Sequence, residues 1–322
     1  MRRLFVHVGP PKTGTTAVQQ LFLNRPELGV IYPRVGLWAD GSHHNLVFNF
    51  FGNTARPELV RADPGAQLTE VAALTQGNTL DLLISSEALV SQDAGALIGA
   101  LLERLGPGWE AEILFTCREQ YDWAASLYNQ SVKDPAMRER RPPGAYLCDA
   151  PHRFCLMPMI ERMAASGFPL RVLNYHPSSD FVPRFLAAIG LAMPAEQPVE
   201  RRNISLGMAG LVAMLATNQV VEHQEEAQAF FQALRGMKGL FASAPHIFEP
   251  ADMERAAPVF AADCARLEAE YGVCLPEVDL TRRVSRFFLS PLEFEQVAAR
   301  FRPLGGPAEA ILGLLAQRVG PG

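Results

Sequence analysis

A lysine set in a glycine-containing loop near the start of the chain is the first feature that could do chemistry. The loop runs from Gly9 to Gly14 and contains Lys12, and Thr15 and Thr16 follow it directly. Backbone N–H groups of such a loop and the N-terminus of a following helix attract anions, and a lysine adds a full positive charge. These residue types and their spacing predict an anion-binding loop.

The residues on either side of this loop predict a strand before it and a helix after it. Leu4 to Val8 is a short apolar run bounded by glycine and proline, which is typical of a buried strand. Beyond the loop, apolar residues recur at helical spacing as far as Phe22. We expect Thr15 or Thr16 to cap that helix.

The position of the lysine distinguishes this loop from the Walker A loop of nucleoside triphosphatases. That loop has its lysine directly after the second glycine, whereas Lys12 lies two residues before Gly14. The segment PKTGTT resembles the 5′-phosphosulfate-binding loop of sulfotransferases that use 3′-phosphoadenosine 5′-phosphosulfate (PAPS). The resemblance implies that six residues bind PAPS: Pro11, Lys12, Thr13, Gly14, Thr15 and Thr16.

A second stretch also has the residue types of a phosphate site. Ala111 to Cys117 predicts a buried strand, Arg118 follows it directly, and Ser126 lies within the next predicted helix. A guanidinium offers paired donors to a phosphate, and a hydroxyl adds another. The arrangement resembles the 3′-phosphate motif of the same family, which implies that Arg118 and Ser126 bind that phosphate. The alternatives are a surface ion pair for the arginine and a hydroxyl bonded within its own helix for the serine.

The segment ERRNISL, at residues 200–206, carries further donors just ahead of a predicted helical region. It is similar to the segment that closes over the PAPS nucleotide in related sulfotransferases, although it is less specific than the first two motifs. The resemblance implies nucleotide contacts from Arg201, Arg202 and Asn203. A solvated segment that caps a helix would carry the same residue types.

Glu87 is a candidate for the base that activates an acceptor hydroxyl. The segment from Leu80 to Leu89 predicts a strand that turns polar at Ser85, and ligands bind at the carboxyl ends of strands in parallel α/β sheets. Glu87 would equally suit the start of a following helix, stabilised by the helix dipole. In the family the base is a His or Glu at the end of the second strand, which implies this catalytic role for Glu87. Lys12 would have the other catalytic role, which is to stabilise the departing phosphate.

His43 and His44 are the competing candidates. A histidine pair in a loop near an anion site could bind substrate or act as a base. Adjacent histidines point in different directions, and surface or helix-capping histidines are the alternative. Three other residues, Cys148, His152 and Cys155, have spacing faintly like that of metal ligands, but no second pair lies nearby and zinc needs four. We therefore expect no metal.

Strand and helix signals alternate along residues 1–206 and predict an α/β protein. We expect a three-layer P-loop-type fold, in which helices flank a central, mainly parallel sheet. A single sulfotransferase-like domain is expected to span residues 1–322, with residues 207–322 forming a largely helical cap or extension.

Composition excludes several classes of protein. The 322 residues are 48% hydrophobic, which is enough for a large core, and the net charge of −5 argues against binding to nucleic acid or to a membrane surface. No apolar run approaches the ~20 residues that span a bilayer. Five cysteines without a disulfide-like framework suit a reducing compartment. We expect a cytoplasmic protein.

Together these motifs predict a PAPS-dependent sulfotransferase that modifies a hydroxyl on a small molecule or glycan and releases adenosine 3′,5′-bisphosphate. The animal cytosolic members carry a lysine and a histidine in the segment that holds Glu87, and their absence here points to the carbohydrate-type and bacterial branch. Two alternatives remain. A P-loop kinase would need a Mg²⁺-binding Ser/Thr after a loop lysine, and a sulfotransferase-like fold could bind nucleotide without catalysis.

Overall fold

The computed structural model describes residues 1–52, 62–176, 180–193, 205–235, 237, 241–242, 246–279 and 287–320. The chain divides into two compact units. The first comprises residues 1–119, 155–200 and 262–276, and the second comprises residues 120–154, 201–261 and 277–322. The single-domain interpretation of the sequence stays a prediction.

The first unit contains a five-stranded parallel sheet, which confirms the predicted α/β class. Its strands are β1 (Arg2–Val8), β2 (Val30–Ile31), β3 (Asp81–Ser85), β4 (Trp109–Arg118) and β5 (Leu170–Tyr175), in the order β2-β3-β1-β4-β5. In the register of the central strand, His7 lies opposite Ser85 of β3 and Leu114 of β4. Because the strands are parallel, the residues that follow β1, β3 and β4 share one edge of the sheet.

Helices flank this sheet and also make up most of the second unit. In chain order they are α1 (Thr15–Asn24), α2 (His44–Phe51), α3 (Pro64–Ala73), α4 (Ala94–Leu105), α5 (Gln120–Lys133), α6 (Pro143–Cys148), α7 (Met157–Ala164), α8 (Phe181–Ala188), α9 (Met208–Val220), α10 (Gln224–Arg235), α11 (Pro250–Tyr271), α12 (Pro291–Phe301) and α13 (Ala308–Ala316). Over the described parts of the chain, no helix is both long enough and apolar enough to cross a membrane.

The core of the first unit fixes α1 and α8 against the sheet. It consists of buried apolar side chains from the strands and from both helices, among them Phe5, Leu83, Leu114, Val18, Phe22 and Phe185. Burying a side chain of this size contributes about 1.5–3 kcal/mol. The first helix and the loop that precedes it are therefore held firmly over the ends of the strands.

Local hydrogen bonds move two predicted boundaries. The strand expected over residues 80–89 ends at Ser85, because the Ser86 side chain accepts the Ala88 N–H and starts a short 3-10 helix, Glu87–Ser91. The sequence also predicts a helix from Gln92 to Leu105, and in the structure this helix begins at residue 94, because the Asp93 carboxylate accepts the N–H of Ala96. Both changes are cases in which a polar side chain satisfies the free N–H groups at a helix start.

The second unit is built around α9, whose buried residues cover almost its whole length. A helix that is apolar on all sides is expected to be buried in this way. Asn129 of α5 donates to the Leu206 carbonyl and accepts the Leu206 N–H, which fixes β6 (Ser205–Leu206) beside α5. β6 pairs antiparallel with β7 (Phe241–Ala242), and β7 lies within residues 207–322, the region expected to be largely helical.

Candidate active site

The predicted anion-binding loop joins the end of β1 to the start of α1, and its two glycines leave space for neighbouring groups. Gly14 has a φ of 82°, and a Cβ there would lie 2.4 Å from the Tyr175 ring. At Gly9, a Cβ would lie 2.2 Å from the Thr116 hydroxyl oxygen. The loop therefore packs against β4 and β5 more closely than any side chain at these positions would allow.

We expect Gly14→Ala to destabilise the first unit beyond the cost of its backbone conformation. Gly29 is a matched control, because its φ of 79° is nearly the same and nothing lies within 4 Å of a Cβ built there. At either position, the left-handed backbone conformation costs an alanine about 1–2 kcal/mol of stability. Overlap with the Tyr175 ring should add about 1–3 kcal/mol at Gly14 alone. Urea unfolding measures the free energy of unfolding of both variants. An equal loss in the two would show that the loop does not pack against Tyr175 as described.

The N-terminus of α1 is arranged to receive an anion. Its N-cap residue is Gly14, and no side chain in the described parts of the chain caps it. The expected cap by Thr15 or Thr16 is wrong, because Thr15 is the first helical residue and its hydroxyl donates to Glu87. First-turn N–H groups that lack a side-chain cap, together with the helix dipole, favour a bound anion.

Lys12 adopts an unusual backbone conformation within this loop. Its φ is 72°, in the left-handed region, and its carbonyl oxygen accepts a hydrogen bond of 2.7 Å from Arg118 Nη1. Such a conformation costs about 1–3 kcal/mol in a residue other than glycine and is concentrated at ligand-binding sites. Arg118 is buried, with its guanidinium carbon 5.5 Å from the centre of the Tyr175 ring. This arginine therefore supports the loop directly.

The Glu87 carboxylate lies against the first turns of α1. The Thr15 hydroxyl donates to its Oε1, and the Gln19 amide donates to its Oε2 over 3.3 Å. His44 Nε2 also lies 3.3 Å from Oε2, and the side chains of Glu87 and His44 are each 14% exposed. Two of the three candidates for the base, Glu87 and His44, thus form one cluster at the start of α1, and their roles in catalysis stay predictions.

A hydrogen bond to Ser86 and a contact with Glu87 define the orientation of His44. Its Nδ1 shares a hydrogen bond of 2.7 Å with the Ser86 hydroxyl, and its Nε2 lies 3.3 Å from Glu87 Oε2. The ring also packs edge-on against Trp38, 4.9 Å between centroids, and 5.9 Å from Phe48. The two aromatic side chains restrict the rotation of the histidine.

His43 is buried and faces the protein interior. Its Nδ1 accepts the Ser85 N–H over 3.1 Å, so Nε2 is protonated and donates to the Pro33 carbonyl over 2.9 Å. Burial lowers its pKa to about 4, which keeps the ring neutral near pH 7. The hydrogen bonds of the His43 ring are with the backbone, the ring packs edge-on with the Tyr32 ring at 4.5 Å between centroids, and the residue joins the start of α2 to the end of β3.

A buried polar network under the loop is not predicted by any motif. It centres on His7, whose pKa burial lowers to about 3. His7 Nδ1 lies 2.9 Å from the Ser85 hydroxyl and Nε2 lies 3.4 Å from the Thr116 hydroxyl. Thr116 lies 3.1 Å from the Thr13 hydroxyl, which donates to the Pro10 carbonyl over 2.7 Å. The network therefore ties the loop to β1, β3 and β4.

The remaining predicted residues differ in their surroundings. In the loop, Pro11 is exposed and Thr16 is partly buried. Ser126 is a partly buried residue of α5 in the second unit, so its pairing with Arg118 stays a prediction. The three predicted nucleotide contacts at residues 201–203 lie outside the described residues. Within the described ranges, no group of three or more His, Cys, Asp or Glu side chains is placed to hold a metal ion.

Comparison of the chain with protein-family models, curated proteins and solved structures finds no significant match.

Proposed function

We propose that the chain is a sulfotransferase that moves the sulfuryl group of PAPS to a hydroxyl-bearing acceptor. The observation that carries this proposal is the contact between Glu87 and Thr15. It brings a carboxylate to the first turn of a helix whose preceding loop holds Lys12. A base for an acceptor hydroxyl and a cation for a departing phosphate are the two groups that sulfuryl transfer needs.

The loop fits the 5′ end of the nucleotide. Lys12 and the N–H groups of Gly14, Thr15 and Thr16 would hold the phosphosulfate, because Gly14 leaves the helix start without a side-chain cap. PAPS supplies an activated sulfuryl group, whose S–O bond to the 5′-phosphate breaks as the bond to the acceptor oxygen forms. Lys12 would offset the negative charge that develops on the phosphate side.

Glu87 would take the proton of the acceptor hydroxyl. Its carboxylate is oriented by hydrogen bonds from Thr15 and Gln19 and by the nearby His44 ring. His44 would hold the carboxylate rather than compete with it, and a small molecule or a glycan would supply the hydroxyl.

Two measurements test the proposal. Adenosine 3′,5′-bisphosphate should raise the thermal unfolding midpoint more than Mg-ATP does, because the site is expected to recognise a 3′-phosphate. Radiolabelled PAPS, incubated with monosaccharides and phenols, should then transfer its label in the presence of the chain. Preferential stabilisation by Mg-ATP would favour a P-loop kinase. Stabilisation by the bisphosphate without transfer to any acceptor would favour the alternative that the chain binds the nucleotide without catalysis.

Arg118→Ala should weaken the binding of adenosine 3′,5′-bisphosphate more than the binding of adenosine 5′-monophosphate. A hydrogen-bonded charged contact to the 3′-phosphate is worth about 1.5–3 kcal/mol. The variant also removes the hydrogen bond to the Lys12 carbonyl, and that loss should affect both nucleotides alike. Isothermal titration of both nucleotides into the parent and into the variant therefore isolates the contribution that the 3′-phosphate contact makes to affinity. An equal loss of affinity for both nucleotides would mean that Arg118 only supports the loop.

A further inference from the structure

Gln19 is a fully buried side chain of α1 that belongs to no motif. Its amide nitrogen bridges two acceptors, the Ser85 hydroxyl at 3.1 Å and Glu87 Oε2 at 3.3 Å. Its amide oxygen, Oε1, has no hydrogen-bond partner among the described residues. An unsatisfied buried polar atom costs about 1–3 kcal/mol. The amide nevertheless directs its nitrogen, and not its oxygen, at the carboxylate.

The charge on Glu87 explains this orientation. An ionised carboxylate accepts hydrogen bonds and would repel the amide oxygen, so the nitrogen must face it. His44 Nε2 contacts the same carboxylate oxygen from the other side, at 3.3 Å. Glu87 Oε2 is therefore held between α1 and α2.

The contacts of the two carboxylate oxygens show which one is left for a substrate. The Gln19 amide donates to Oε2, and His44 Nε2 lies 3.3 Å from the same oxygen, so two side chains cover it. Oε1 accepts only the Thr15 hydroxyl among the described residues. A carboxylate oxygen has about two acceptor positions, so Oε1, the oxygen that faces the first turn of α1, keeps one for a substrate.

We infer that Gln19 is a positioning residue, which turns the Glu87 carboxylate so that Oε1 receives the acceptor proton. The inference rests on the proposed function. The proton passes from the acceptor hydroxyl to Oε1 while the acceptor oxygen bonds to sulfur, and Gln19 holds Oε2 throughout. Without the amide, Oε2 keeps only His44, and the carboxylate can rotate away from its reactive orientation.

Gln19→Met tests this role, because methionine keeps the length and removes the donor. Gln20→Met is the matched control, since the neighbouring Gln20 amide instead donates to the Asp40 carbonyl over 2.5 Å. We expect kcat with radiolabelled PAPS to fall about 10- to 100-fold in Gln19→Met, the loss typical of a misplaced catalytic group. The acceptor KM and the affinity for adenosine 3′,5′-bisphosphate should stay within a few-fold, and Gln20→Met should behave as the parent does.

Crystal structures of the parent chain and of Gln19→Met provide a readout that does not depend on activity. The Glu87 carboxylate should be rotated in the variant and the loop unchanged. A carboxylate that keeps its orientation overturns the inference, whatever happens to kcat, and so does an unchanged kcat beside a rotated carboxylate. If the parent transfers no label to any acceptor, the proposed function fails, while the two structures still decide whether Gln19 orients Glu87.

Discussion

Glu87→Gln is expected to lower single-turnover sulfuryl transfer by about 10²–10⁴-fold, the contribution typical of a general base. Glutamine keeps the size of the side chain and can still accept the Thr15 hydroxyl through its amide oxygen. It cannot take a proton from the acceptor. The affinity for adenosine 3′,5′-bisphosphate should stay within a few-fold of the parent value, because we propose that the loop, and not Glu87, holds the phosphate.

The two histidines are the controls for this experiment, and the structure separates their expected effects. His44→Ala removes the ring that lies 3.3 Å from Glu87 Oε2 and should lower transfer less than Glu87→Gln does. His43→Ala should act mainly through stability, because it leaves the buried Pro33 carbonyl and Ser85 N–H without the imidazole. If the transfer rate of Glu87→Gln stays within a few-fold of the parent rate while His44→Ala loses almost all transfer, His44 is the base and Glu87 orients it.

The sequence predicts the sheet and the loop well because their signals are local. Leu4 to Val8 is an apolar run that ends at a glycine, and β1 ends at Val8. The position of Glu87 beside the loop also follows from local information, since β3 lies next to β1 in a parallel sheet. Residues that follow neighbouring parallel strands meet at one edge. A strand pattern and the rule of parallel sheets are enough to bring these parts together.

The polar support of the site could not be predicted, because it depends on partners far apart in the chain. His7 is separated from Ser85 by 78 residues and from Thr116 by 109. A histidine within an apolar run indicates that some buried partner exists but not which one. Gln19 gives still less information, because one polar residue near the start of a helix is typical of a solvated face. Only the packing of α1 against β3 makes it a neighbour of Glu87.

Lys12→Ala should lower turnover by about 10²–10³-fold, the loss typical of removing a group that stabilises developing charge. Affinity for adenosine 3′,5′-bisphosphate should fall less than tenfold, because in the proposed site the backbone N–H groups would still hold the phosphate in the ground state. Single-turnover transfer and isothermal titration measure the two effects. Equal losses in turnover and affinity would show that the lysine contributes binding alone.

The left-handed conformation of Lys12 allows a sharper version of this test. Alanine keeps the strain of a φ of 72°, whereas glycine relieves it. Lys12→Gly should therefore unfold at a higher urea concentration than Lys12→Ala, although both variants lack the charge. If charge on the leaving phosphate is what matters, the two variants lose turnover equally in spite of this difference in stability. Recovery of turnover in Lys12→Gly alone would mean that the loss of turnover in Lys12→Ala comes from a changed loop conformation and not from the missing ammonium group.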